Sequence, residues 1–397
     1  MATIDKSLPN TMTEVEIPGE EEIVEAKEEA VEEISSDGQT EIEMDEEGGA
    51  TINFDPGEVN PEGGEDHDAN LADFLEDNVL DPLASELMEK YTNYKQSRQE
   101  WADSYREGLN LLGFKYVTRT EPFRGASSVT HPVLAEAVTQ FQAQAYKELL
   151  PADGPVRTQI MGDANVAKEE QSKRVKDFMN YQIMDQMKEY EPEFDQMLFY
   201  LPLSGSTFKK VYYDDLLGRA VSKFIPAEDL VVPYSATSLE DAEAVIHVIR
   251  MSPNDLRKQQ INGFYRDIDL GEPPVQEDKL KQKELELEGI TSNGTEDIYT
   301  ILEMHVDVDL EGHEDVNPED GEPTGIKLPY IITIDEANEK VLSIRRNYAP
   351  EDPLKKKKDY FVHFKFLPGL GFYGLGLIHM IGGLSRTATV ALRQLLD

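Results

Sequence analysis

The sequence predicts an α+β protein: a helical front half of the body, packed with mostly antiparallel strands, ending in a helix and preceded by an acidic tail. Three observations carry this. Apolar residues recur at helical spacing from Leu83 to Leu203. The period then shortens to strand-like runs from Thr207 onward, and these follow one another without the intervening helices that a parallel sheet needs. Finally, the acid excess is concentrated at one end. Of 79 Asp and Glu residues in the 397-residue chain, 26 lie in residues 1–80 beside only two lysines.

Residues 1–70 are expected to be a disordered acidic tail. Glu20 to Glu33 is mostly glutamate with scattered valine and isoleucine, and Gly48 to Gly64 is rich in glycine with proline. Such text has too little apolar area to offset an ordering cost of roughly 1–2 kcal/mol per residue. The body is expected over 71–375. Asp81-Pro82 opens a first helix with the proline in its first turn, an apolar stripe runs from Leu83 through Trp101 to Leu112, and Gly113 ends it. Phe114 to Gly125 reads as a short strand and loop. A second helix starts near Thr130 and places Leu134, Val138, Phe141, Ala145 and Leu149 on one face until Pro151. Val156 to Met161 reads as a strand. A third helix, Ala164 to Glu189, has Val175, Phe178, Met179, Ile183 and Met187 as its buried side, and a fourth runs from Glu191 to Leu203.

Thr207–Tyr213 and Arg219–Ile225 form a hairpin by their turn chemistry. Leu230–Val232, Val245–Arg250, Ile298–Val308, Tyr330–Ile334, Val341–Arg346 and Tyr360–Phe366 are further strands. Ser252-Pro253 caps a short helix to Gln260, Glu277–Glu288 is a charged helix, and Glu311–Gly325 an acidic loop. The last helix is expected from Ser385, within a segment 376–397. The chain stops inside this periodic stretch with no glycine, proline or cap, which reads as the front part of a longer protein.

Composition excludes several functions. A formal charge of −41 opposes a general nucleic-acid binder whose affinity comes from neutralising phosphates. The absence of cysteine excludes disulfides, thiolate catalysis and cysteine-held metals. No secretory signal follows Met1, so the composition reads as that of a cytoplasm-like compartment. Leu367 to Leu384 is 18 residues without formal charge, but Pro368 and six glycines make it a buried or interface-lining loop rather than a membrane span.

Motifs with chemistry are few. Gly369, Gly371 and Gly374 spell G-x-G-x-x-G, yet without strand–helix alternation the pattern reads as glycine, continued at Gly376, serving close backbone packing. Glu303, His305, Asp307 and Asp309, with His313 and Asp315 after them, have the oxygen-rich character a hard metal favours, but read better as the wet face of a half-buried strand. No metal or other cofactor is expected. Lys355–Lys358 is a basic run, read as a solvated turn or a contact for an acidic neighbour. No phosphate loop and no Ser/His/Asp grouping is legible, so no catalytic residue is assigned and the chain is not read as an enzyme.

Several blocks carry a family resemblance. Pro122-Phe123-Arg124-Gly125-Ala126-Ser127-Ser128, His131-Pro132-Val133-Leu134-Ala135-Glu136-Ala137, Phe141-Gln142-Ala143, Glu148-Leu149-Leu150-Pro151 and Gly154-Pro155-Val156 resemble portal proteins of tailed bacteriophages. So do Leu203 to Tyr213, and Phe372-Tyr373-Gly374-Leu375-Gly376 leading to Leu392–Asp397. The resemblance implies a structural, non-enzymatic subunit of a ring, usually of twelve copies, at one capsid vertex of the virion, assembled in the host cytoplasm. Double-stranded DNA passes through the ring during packaging and ejection, and head joins tail there. Implied partners are the terminase large subunit, major capsid and scaffolding proteins and tail adaptors, with no membrane. Residues 71–375 would be wing-like and 376–397 the start of the stem, with the clip beyond. Within this reading Arg386 and Arg393, seven apart on the last helix, face acids of the next subunit or DNA. Two other readings compete: a nucleotide-dependent oxidoreductase using Gly369–Gly374, and an acidic scaffold or chaperone acting through residues 1–70.

Overall fold

The computed structural model describes residues 41–44, 50–53, 67–114, 119–162, 165–214, 217–273, 279–289, 298–316, 323–369 and 371–397. Two units are distinct, 1–66 and 67–397. In the first, β1 (Glu41–Met44) pairs antiparallel with β2 (Ala50–Asn53). Within the acidic tail, Glu41-Ile42-Glu43-Met44 alternates with strand period. The rest of residues 1–66 lies outside the described residues.

The second unit has the expected α+β architecture, with eight helices and two antiparallel sheets among its described residues. It starts at His67 rather than Leu71, because the preceding residues guard a sheet edge. Asn70 is buried, its amide Nδ2 donates to the Leu342 carbonyl (3.3 Å), and its Oδ1 accepts from Ile344 N (2.9 Å). Those groups would otherwise be open for pairing.

α1 (Asp77–Ser97) begins five residues ahead of Pro82, so the proline lies within it and not in its first turn. The expected single helix to Leu112 is broken at Arg98 (φ −99°, ψ 10°), after which α2 spans Gln99–Leu109 and one 3₁₀ turn leads to Gly113 at φ 72°. The break has a cause. The Arg98 guanidinium donates to the carbonyls of Ala227, Glu228 and Leu230 and to the Tyr373 hydroxyl, and these four bonds anchor the chain where it changes direction. Trp101, the single tryptophan, stacks between Tyr105 and Tyr373 (centroids 5.6 and 4.9 Å).

The larger sheet is a meander of β5 (Leu230–Val231), β6 (Ala244–Met251), β7 (Tyr299–Val308), β8 (Leu328–Asp335) and β9 (Lys340–Arg346). Leu302, Met304 and Val306 of β7 pack beneath Leu80, Ala84, Leu87 and Tyr91 of α1. Each such buried aliphatic chain stabilises the fold by about 1.5–3 kcal/mol. On the opposite face Ile301 and Leu342 meet Leu256 of α6 (Pro253–Ile261), Tyr265 and Leu270.

The smaller sheet has the order β10 (Phe361–Lys365), β3 (Ser206–Asp214), β4 (Arg219–Pro226). α3 (Val133–Leu149) and α5 (Tyr190–Ser204) cover it through Phe141, Phe194, Met197 and Leu198. Leu149, expected on the buried face of α3, is half exposed.

Three elements differ from expectation. No strand forms at Val156–Met161 or in the described part of Phe114–Gly125. The third helix ends early: α4 is Val166–Tyr181, followed by one π turn over Gln182–Gln186. Its expected buried side is open, with Phe178 at 58% exposure and Val175 and Met179 also exposed. Ser172 and Asn180 instead tie it to the loop at Asp153–Thr158. Apolar spacing fixed the helix but not what it packs against. α7 (Lys279–Glu288) is the charged helix. The last helix, α8, is Leu377–Leu396, eight residues longer at its start than expected. Gly382 and Gly383 therefore lie inside a helix. The cost of about 1 kcal/mol each is accepted at Gly382 because an added Cβ would press on Leu111 at 3.3 Å. No helix among the described residues is long and apolar enough to cross a membrane.

Candidate assembly site

Three segments cross at one point. α5 ends on Gly205 at φ 89°, a left-handed conformation that favours glycine. β3 starts at the next residue, and the loop from Phe366 to Gly376 passes over both before α8 begins. Phe366 N donates to the Gly205 carbonyl (3.0 Å) and Leu375 N to the Leu367 carbonyl (2.8 Å). Gly374 N donates to Ser206 Oγ (2.7 Å). A Cβ at Gly374 would strike the Gly205 carbonyl, one at Gly376 the Leu203 carbonyl, and one at Gly369 the Tyr373 carbonyl, whereas Gly371 faces open space. Three of the four glycines expected to pack closely do so. The atoms they would strike belong to the same chain, and nothing in the chain lies within 4 Å of a Cβ at Gly371. With every described strand pairing antiparallel, the Gly369–Gly374 run has lost the parallel-sheet setting a dinucleotide loop needs.

Sequence reasoning missed a polar pair here. His363 Nε2 lies 3.1 Å from Ser206 Oγ, across 157 positions that no spacing rule connects. Burial holds the His363 pKa down to about 3, with Lys365 adding to the effect. The imidazole is neutral and Ser206 is fully buried, so the pair acts as a tether between β10, β3 and the glycine loop.

α8 leaves this junction with two different sides. Ile378, Gly382, Ser385 and Thr389 are buried, and Thr389 Oγ1 accepts from His131 N (3.0 Å). Met380, Leu384 and Leu395 lie on the other side, with Leu384 at 70% and Leu395 at 84% exposure. Their spacing of 4 and 11 places them on one stripe. Arg386 and Arg393 part company. Arg386 is exposed. Arg393 donates through Nε to the Val129 carbonyl (2.7 Å) and through Nη2 to Thr130 Oγ1 (3.3 Å). Within the chain the Arg393 guanidinium braces the loop ahead of α3.

The expected wet face of β7 is partly interior. Glu303 and His305 point at the smaller sheet. Lys210 Nζ from β3 donates to both Glu303 oxygens (2.5 and 2.6 Å), and His305 Nε2 lies 2.8 Å from Oε1. Rings of Tyr360 and Phe361 close over His305. Burial alone would raise the Glu303 pKa, but Lys210, His305 and His247 outweigh it and hold the carboxyl well below its usual range. Asp307 and Asp309 remain exposed, and Asp315 pairs with Lys355 at 2.5 Å. Among the described residues no three His, Asp or Glu side chains are placed to hold a metal ion. The basic run is likewise tied down, since Lys357 Nζ donates to the carbonyls of Leu239 and Glu240.

His247, opposite Glu303 in the β6–β7 register, gives a pH prediction. Burial, the largest cause, lowers its pKa from 6.5 to about 3. The fold thus binds fewer protons than the unfolded chain. Stability from this group is full above pH 6.5 and is lost as pH falls toward 3, by about 1.4 kcal/mol per pH unit. His363, lowered in the same way, adds a like contribution, so in urea unfolding at pH 6.5, 5.5 and 4.5 His247→Gln should reduce the slope by about 1.4 kcal/mol per pH unit without abolishing it. An unchanged slope in that variant would remove His247 as the source.

No protein-family model matches the chain, and no curated protein matches it in sequence.

Proposed function

We propose that this chain is a structural subunit of a phage portal ring, a conduit for double-stranded DNA at one capsid vertex of the virion, and not an enzyme. The observation that carries the reading is a convergence. The three blocks that resemble portal proteins lie far apart in sequence, yet they meet around α8. The first supplies the Ser128–His131 loop, which bonds Thr389 and Arg393. The second supplies Leu203–Ser206, and the third the glycine loop packed on it. A junction of this kind sets the angle at which α8 departs, and α8 carries an apolar stripe that its own chain does not cover among the described residues. Head-to-tail contacts between identical copies close into a ring when the rotation per copy closes. A strongly acidic chain, formally −41, suits a channel that must not grip phosphates, since each neutralised phosphate would add affinity and friction.

The reading makes the terminase large subunit, capsid and scaffolding proteins and tail adaptors the partners. It is tested on the purified protein. Electron microscopy should show rings with a central hole wide enough for a duplex. Leu384→Glu with Leu395→Glu should leave the subunit folded by circular dichroism but abolish rings in sedimentation velocity. A wild-type protein that sediments as a lone subunit under all conditions, or rings that ignore the double substitution, would count against it.

A further inference from the structure

The charged helix α7 buries an acid. Leu280, Glu284 and Leu287 follow one another at steps of 4 and 3, which places them on one face of the helix. That face packs on α2. Leu280 is buried in one cluster with Tyr105 and Leu109 of α2 and Ile378 of α8, and Leu287 lies against the same cluster. Glu284, between the two leucines, is only 8% exposed.

What Glu284 meets is a second acid. Glu228, in the 3₁₀ turn Ala227–Asp229, is joined to it by a hydrogen bond between the two carboxyl groups. Such a bond needs one of the two to keep its proton. The surroundings select Glu228. Its Oε2 is sealed from water without a hydrogen-bond partner among the described residues, and so is the Tyr105 hydroxyl. Tyr105 is fully buried and feels the charge of both carboxyls, with Tyr200 of α5 also close. Asp229 places another negative charge beside Glu228, and its carboxylate accepts from Arg250 Nη1 of β6 (2.9 Å). The Arg98 guanidinium donates to the main-chain carbonyl of Glu228. Burial, then Glu284 and Asp229, hold the Glu228 carboxyl well above its usual range, against a single main-chain hydrogen bond that lowers it.

We propose that α7 is a strap fastened by this proton: Glu228 donates to the Glu284 carboxylate, and loss of the proton lets α7 lift and uncovers the apolar cluster at the start of α8. The sign follows from linkage. The fastened state holds a proton that a solvated glutamate gives up above about pH 4.5. Fastening is therefore strongest in acid and weakens as pH rises from 4.5 toward the raised value, by up to about tenfold per pH unit. His247 acts in the opposite sense, since its contribution grows from pH 4.5 to 6.5, so strap and body can be told apart. The inference does not depend on the portal reading.

Hydrogen–deuterium exchange on the full chain, corrected for the intrinsic pH dependence of amide exchange, reads the strap directly. Protection of the α7 amides should fall at least tenfold from pH 5 to pH 8, while that of β7 does not fall. Fluorescence of added 1-anilinonaphthalene-8-sulfonate should rise over the same range, because Leu109 and Ile378 lose their cover. Glu228→Gln keeps a donor and cannot ionise, so α7 protection in that variant should vary less than threefold. Glu284→Gln donates its amide to the Glu228 carboxylate and should flatten the profile as well, which keeps the test open if the first variant loses its circular dichroism. The proposal is overturned if wild-type α7 protection falls less than threefold, or if α7 and β7 lose protection together. It is also overturned if dye fluorescence stays flat while α7 opens, or if a folded glutamine variant keeps the wild-type fall.

Discussion

Gly376→Val should prevent the body from folding, whereas Gly371→Ala, five residues earlier in the same glycine run, should leave it close to wild type. At Gly376 an added Cβ meets the Leu203 carbonyl and, at 2.6 Å, the Gly205 amide nitrogen. These are backbone atoms, so no rotamer change relieves the overlap. Moving the loop away would forfeit the bond from Gly374 N to Ser206 Oγ and that from Phe366 N to the Gly205 carbonyl. Overpacking costs about 1–3 kcal/mol, and each buried polar group left unpaired about 1–3 kcal/mol more. The sum reaches a large share of the roughly 5–15 kcal/mol that stabilises a typical domain. Gly371 has nothing within 4 Å of its Cβ position, so alanine there should change stability by no more than about 0.5 kcal/mol, the usual range for a surface site. Urea and thermal unfolding of both variants decide the matter. Equal losses at the two positions would show that loop flexibility, not close packing, is what the glycines supply.

That contrast also marks where sequence reading stops. The strand segments from Thr207 to Phe366 were legible because alternation and turn residues are local signals, and β3 and β4 form the expected hairpin. Helix existence was legible for the same reason. Helix ends were not. α8 reaches back through Gly382 and Gly383 because tertiary packing on Leu111 overrides propensity, and the α1–α2 break depends on carbonyls at 227–230 that lie 129 to 132 positions from Arg98. Which apolar face is buried was the weakest inference. The α4 stripe and the Leu384–Leu395 stripe look alike in sequence to the buried stripe of α1, because periodicity reports a face and not its partner.

The candidate site was legible in part. Glycines 369, 374 and 376 were identified as packing residues from composition alone, but their partners at 203–205 and the Ser206–His363 tether required the fold. The bonds of Arg393 to the Val129 and Ser128 carbonyls were not legible, because a basic residue on a helix offers no sign of the backbone carbonyls it will reach. Glu303 and His305 were placed in solvent by the alternation rule, which identifies a polar face correctly and is silent about a second sheet laid over it.

The second large effect concerns that covered face. Lys210→Met should destabilise the body by about 3–5 kcal/mol, the cost of leaving one partner of a buried pair without its counter-charge. Glu303 and Lys210 are both mostly buried and come from different sheets, so the pair fixes how one sheet sits on the other. Lys210→Met with Glu303→Leu should cost much less than the sum of the single changes, since an apolar pair of similar volume removes both desolvation penalties. The pH dependence gives the sharper discrimination. In the wild type the Glu303 carboxyl is held well below 4.5, so its contribution is present above pH 4.5 and is lost only as pH falls through the depressed value. In Lys210→Met burial acts with less opposition, the carboxyl titrates at a higher pH, and the variant recovers stability by taking up a proton as pH drops. The gap between wild type and variant should therefore widen from pH 5 to pH 8 in urea unfolding. A gap that is constant with pH would mean that Lys210 contributes through its packing against Tyr212 and Phe361 and not through the charge of Glu303.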